Sequence, residues 1–179
     1  MPARNPNASV VRAGTTSSLP ETAVLPVHRV PAALARHFHL ICLGAIADAL
    51  AGEDLTPLQY VILAYLDDEP EIDQNSLAAR AGVEKSHASL LVEQLETRGL
   101  LQRRINGADR RARLLRLTPE GEKLRRRLRP KTQAANDRIV ARLTRAERKL
   151  LVDLLVRIID DNQVYDRPSA GRRGRPSRR

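Results

Sequence analysis

Large rings are nearly missing from this chain: three tyrosines, one phenylalanine and no tryptophan stand among 179 residues. A core made without them must come from Leu, Ile, Val and Ala, and any internal ligand pocket must have mainly aliphatic walls. Cysteine is equally scarce. The single thiol, Cys42, excludes an intramolecular disulfide, so nothing points to an oxidising compartment and a reducing cytoplasm is the simpler expectation. No apolar run approaches the ~18 residues of a membrane span, and the N-terminus lacks the basic-then-apolar order of a secretion signal. The expected location is therefore cytoplasmic, without a membrane partner. No Ser/His/Asp set, phosphate-cradling glycine loop or pair of carboxylates at useful spacing is present, which argues against an enzyme. His28, His37 and His39 suggest zinc at first sight. Residues two apart on a helix face different ways, however, and no carboxylate or cysteine cluster completes the ligand set, so no metal or cofactor is expected.

Positive charge, by contrast, is abundant. Lys and Arg number 31 against 21 Asp and Glu, giving a net charge of +10 and a pI near 10.9. That balance favours a polyanionic partner, nucleic acid first and an anionic membrane surface second. The length suits one domain with tails. Residues 1–27 carry Pro2, Pro6, Pro20 and Pro26 among Ser, Thr, Asn and Ala, a composition expected of a flexible arm. Residues 163–179 are a basic tail expected to be disordered: from Asp166 onward six arginines face one acid, with Pro and Gly opposing a helix.

Between the tails the chain reads as mainly α with one small β-hairpin. From Val30 to Leu50 it is apolar almost all round, through Leu34, Phe38, Leu40, Ile41, Leu43 and Ile46, and such a helix is expected to be buried on several sides. Thr56-Pro57-Leu58-Gln59 supplies an N-cap, a first-turn proline and a capping-box glutamine for a helix to about Leu66. Asp73 or Asn75 caps a short helix through Ala81. Thr118-Pro119 opens a long helix that Pro130 kinks without ending, its apolar period running on to Leu143. Thr144 to Glu147 is a second capping box, opening a last helix with a wide stripe of Leu150, Leu151, Leu154, Leu155, Ile158 and Ile159. The first and last helices together predict a dimerisation layer.

The stretch Gly82 to Leu117 sits at the centre of this plan. Ala88, Leu91, Val92 and Leu95 recur at helical spacing and leave Lys85, Ser86, Ser89 and Gln94 off the apolar stripe. Gly99 suits the helix stop. Leu100 to Ile105 and Ala112 to Leu117 then read as strands around a basic tip, Asn106 to Arg111. A short helix before Gly82 completes the spacing of a helix-turn-helix.

Those elements, with the strings Leu55-Thr56-Pro57-Leu58-Gln59, Asn75-Ser76-Leu77-Ala78, Leu95-Glu96-Thr97-Arg98-Gly99-Leu100 and Asp109-Arg110-Arg111-Ala112 running on to Leu117-Thr118-Pro119-Glu120-Gly121, resemble the MarR (multiple antibiotic resistance regulator) family of bacterial winged helix-turn-helix transcription factors. The resemblance spans Val30 to Asn162. It implies a domain over 28–162, with a DNA-binding lobe at about 55–118 and dimerisation helices at about 30–52 and 119–162. It also implies a homodimer on a palindromic operator in double-stranded DNA, usually a repressor relieved by a small ligand or by oxidation. Lys85 and Ser86 would meet phosphates or base edges, with Ser89 one turn on. The family commonly has arginine where this chain has Leu90, and threonine where it has His87. Leu90 is therefore expected to make an apolar contact, to a thymine methyl, or none, while His87 adds a donor. In the wing the resemblance assigns Arg111 to the minor groove, beside Arg110, with Asp109 holding the tip.

Four further expectations remain. Arg103, Arg104, Arg113 and the basic run Lys123 to Arg129 are assigned to phosphate contacts or solvated charge. A ligand pocket between the lobe and the dimer layer would use Arg36, His37, His39, Tyr60 and Tyr65, suiting an aromatic or acyl compound with an anionic group. Cys42 is read as core packing, with an oxidant-sensing regulator as the alternative. In the tail, Arg173-Gly174-Arg175-Pro176 resembles an AT-hook, the rival being a sequence-blind tether. A sequence-blind basic nucleic-acid-binding protein is the alternative for the whole chain.

Overall fold

Four helices begin at the side-chain caps that the sequence supplies. The computed structural model describes residues 26–105 and 113–163. Two units divide the chain, Met1–His37 and Phe38–Arg179. In the first, the described residues form a 3-10 turn, Val27–Arg29, and the opening of α1 (Pro31–Ala49), which continues into the second. There follow α2 (Pro57–Asp68), β1 (Ile72–Asp73), α3 (Gln74–Arg80), α4 (Lys85–Thr97), β2 (Leu101–Ile105), β3 (Arg113–Leu117), α5 (Pro119–Ile139) and α6 (Arg145–Asp161).

The hydroxyl of Thr56 accepts from the Gln59 N–H and the Gln59 side chain accepts from the Thr56 N–H, closing the box on α2. Thr144 and Glu147 repeat the arrangement on α6, and Thr118 caps α5. Asp73, not Asn75, caps α3. Its carboxylate accepts from the Asn75 and Ser76 N–H groups and from the Ser76 hydroxyl, which holds it below the usual carboxylate range. Helix α5 runs through Pro130 as expected but stops at Ile139, and a turn precedes α6.

The hairpin gains a third strand that the sequence did not signal. The sheet order is β1-β3-β2, antiparallel throughout, with Leu115 of β3 opposite Ile72 on one side and Arg103 on the other. Two residues are too few to show a period, so β1 is found only by its partner. Gly99 has a φ of +68° and turns the chain from α4 into β2.

A first core joins α2, α3, α4 and the sheet through Ile62, Leu63, Leu77, Val92, Leu95 and Leu115, all fully buried. Truncating any of these leucines or isoleucines to alanine is expected to cost about 2–5 kcal/mol. A second, smaller cluster seats Leu50 against Tyr60 and Leu128, with Ile46 and Leu55 alongside.

The burial expected around Val30 to Leu50 is not met within the chain: no residue of α1 or α6 is buried. Ile41 is 57% exposed and Ile158 58%. Among the described residues no element covers these stripes. Helix α1 is also long and apolar enough, by length and composition alone, to cross a membrane, which corrects the expectation of no such segment. Its unbroken apolar run nevertheless extends only from Leu40 to Ala47, between His39 and Asp48, and its Ile46 belongs to the second cluster.

Candidate nucleic-acid interface

Helix α4 presents two contrasting faces. Ala88, Val92 and Leu95 are fully buried and Leu91 nearly so, while Lys85, Ser86 and His87 are exposed and Ser89 is half-buried. Its N-cap residue, Glu84, makes no side-chain cap hydrogen bond, so the first-turn N–H groups of α4 stay open to an anion. The turn into the helix is held by the Val83 N–H donating to the Ala78 carbonyl at 3.0 Å. Behind it, the buried Gln59 amide donates to the Gln94 side chain at 3.0 Å while its oxygen closes the α2 capping box. At the far end, Arg98 donates to the Asp54 carbonyl, and Glu96 accepts from both the N–H and the guanidinium of Arg103. These contacts fix the helix on three sides and leave one face outward.

Strands β2 and β3 carry Gln102, Arg104 and Arg113 exposed beside that face's lobe. Asp109, Arg110 and Arg111 at the tip, and Arg173 and Arg175 with the AT-hook-like string, lie outside the described residues.

Several of the arginines expected to make phosphate contacts or to stand as solvated charge are engaged by partners within the chain, Arg127 while remaining exposed. Arg103 is engaged by Glu96. Arg125 is only 7% exposed: its guanidinium donates to the Tyr60 hydroxyl at 2.6 Å, lies 5.0 Å over that ring and stands 3.6 Å from Asp67. Counting donors gives a directed chain, with Arg125 donating to Tyr60, Tyr60 to Thr132 at 2.6 Å, and Thr132 to the Leu128 carbonyl. Arg127 holds both oxygens of Glu53, at 2.6 and 2.8 Å, with Lys131 near by. The hydrogen bond from Arg127 keeps the Glu53 carboxyl below its usual range. The loop after α1 is thereby fastened to α5 through Glu53 and to the end of α4 through Asp54. Sequence position alone could not show this, because arginines in a basic run look alike until their partners are placed. Lys123, Arg126, Arg129 and Arg113 do remain exposed.

Of the residues expected at a ligand pocket, Arg36, His37 and His39 are exposed on α1. Tyr60 commits its hydroxyl to the Arg125–Thr132 network, and Tyr65 packs against the first core. A cleft of about 690 Å³ lies between the loop after α1 and the outward flank of α4, edged by Glu53, Leu55, Leu90, Gln94 and Arg98. Neither tyrosine lines it. Cys42 is half-buried, and burial pushes its thiol up, the direction of an inert side chain. Among the described residues no group of His, Cys, Asp and Glu could hold a metal ion.

The MarR family model matches residues 53–112. The transcriptional regulator HosA of Escherichia coli O157:H7 is 32% identical over 107 residues, covering 60% of this chain and 79% of HosA. The crystal structure of the PcaV transcriptional regulator from Streptomyces coelicolor, in complex with its natural ligand, is 32% identical with a TM-score of 0.67, covering 78% of this chain and 98% of PcaV. CouR from Rhodococcus jostii RHA1, bound to p-coumaroyl-CoA, is 30% identical with a TM-score of 0.66, covering 71% and 90%. These relatives are regulators of transcription rather than enzymes, and the two solved structures share the fold of this chain. The chain belongs to the MarR family of winged-helix transcriptional regulators.

Proposed function

We propose that the protein is a homodimeric repressor that grips a palindromic operator in double-stranded DNA and releases it on binding a small-molecule effector, acting in the cytoplasm. The observation that carries this reading is the outward face of α4: Lys85, Ser86, His87 and Leu90 stand exposed on a helix braced from behind by Gln59 and from its far end by Arg98. An N-terminus open to anions followed by polar side chains suits insertion into a major groove. Arg111, beside Arg110, is assigned to the neighbouring minor groove, with Asp109 holding the tip. The DNA-binding lobe is residues 55–118, and the dimerisation helices are 30–52 and 119–162. The uncovered stripes of α1 and α6 support a second copy of the chain as their cover. For the effector, the p-coumaroyl-CoA bound by CouR supports an aromatic or acyl compound with an anionic group, for which Arg36, His37 and His39 offer exposed donors.

The test is a competition among the promoter beside its own gene, random duplex and RNA. Preference for the promoter is expected. Arg111→Ala should melt like wild type, remain a dimer and lose most of that binding. Equal binding to all three competitors would leave a sequence-blind basic protein instead.

A further inference from the structure

We propose that Leu90 recognises the 5-methyl group of a thymine in each operator half-site; the inference rests on α4 being the DNA-reading helix. At 3.6 residues per turn, Leu90 lies one turn beyond Ser86 and His87 and opposite the fully buried Val92 and Leu95. It is 51% exposed, so an apolar side chain is displayed in the middle of the face that would meet the duplex. Its neighbours on that face, Ser86, His87 and Glu93, are all polar, and Gln94 at its edge is engaged by Gln59. Leucine has neither donor nor acceptor, and it cannot satisfy the N7, O6, O4 or amino groups that line a major groove. The apolar feature there is the thymine methyl. Over any other base, Leu90 would cover a polar edge that has lost its water. An arginine at this place would reach a guanine edge instead, so the two side chains predict different bases. Leu90 also edges the cleft shared with Leu55, and serving that cleft alone is the competing role that the experiment separates.

Duplexes enriched from a random pool by the full-length protein provide the probe. Each thymine of the enriched half-site is replaced by deoxyuridine, which pairs identically but lacks the methyl group. One thymine per half-site is expected to matter, weakening wild-type binding about fourfold per half-site, the worth of one buried methyl. Leu90→Ala should bind the thymine duplex more weakly by a similar factor and be indifferent to deoxyuridine. Leu90→Arg, which keeps helix propensity, should enrich guanine at that position. Thermal melts of both variants should match wild type, because the side chain supports no core. A wild-type protein indifferent to every thymine-to-deoxyuridine change, or a Leu90→Ala variant as sensitive as wild type, overturns the assignment while leaving α4 as the DNA-contacting helix. Failure of the wild type to enrich any sequence overturns that underlying reading as well.

Discussion

Gly121→Ala is expected to destabilise the protein, against the usual sign for such a change in a helix. Gly121 sits in the first turn of α5, and a Cβ there would lie 1.9 Å from the Leu100 carbonyl oxygen and 2.9 Å from its carbon. Ordinary carbon–oxygen contacts are about 3.3 Å or longer, so the start of α5 and the chain entering β2 must part by more than an ångström. That carbonyl accepts from the Thr118 N–H at 3.2 Å, and the Thr118 hydroxyl donates to the Gly99 carbonyl at 2.6 Å. Parting the segments strains both bonds. Overpacking typically costs about 1–3 kcal/mol, and one weakened hydrogen bond about 1 kcal/mol. Alanine returns about 0.5–1 kcal/mol through helix propensity. The net loss is about 1–3 kcal/mol, or roughly 2–12 °C in melting temperature at 2–4 °C per kcal/mol. Thermal and urea melts of the single variant measure it. A Gly121→Ala protein that melts at or above the wild-type temperature would refute the close approach and the reasoning built on it.

Tyr60→Phe removes the hydroxyl that accepts from the buried Arg125 and donates to Thr132; the expected cost is about 1–3 kcal/mol, seen as a lower urea midpoint at unchanged slope, and an unmoved midpoint would show the network to be dispensable. Replacing Leu154 and Ile158, 39% and 58% exposed, with charged residues should convert a dimer into a monomer by light scattering, whereas an unchanged mass would remove α6 from the proposed interface. Glu53, Asp73 and Glu147 all hold protons less readily when folded, owing to Arg127, the Ser76 hydroxyl and the Thr144 N–H respectively. The unfolded chain therefore binds more protons, and the stability they contribute is complete above about pH 5 and lost as pH falls below about 4. The stability gap between wild type and Glu53→Gln should narrow over that window, and a constant gap would mean that the Arg127 pair contributes nothing.

What the sequence by itself determined was whatever rests on near neighbours along the chain. The caps at Thr56, Asp73, Thr118 and Thr144 act within three residues, and the α4 stripe repeats every three or four, so helix starts, the outward Lys85–Ser86–His87 face and the hairpin strands were all legible. The family motif around the wing was legible for the same reason. Tertiary structure alone decided the pairings of distant groups. Gln59 meets Gln94 across 35 positions and Arg125 meets Tyr60 across 65, distances over which no local pattern chooses one arginine or glutamine above another. Thus Arg103, Arg125 and Arg127 were indistinguishable from surface charge until the fold brought Glu96, Tyr60 and Glu53 beside them. Strand β1 exists only because β3 stands next to it. The two apolar helices illustrate the remaining division: their stripes are written in the periodicity of the sequence, but only the fold showed that none of the described residues buries them, because burial belongs to the packing of elements rather than to any one of them.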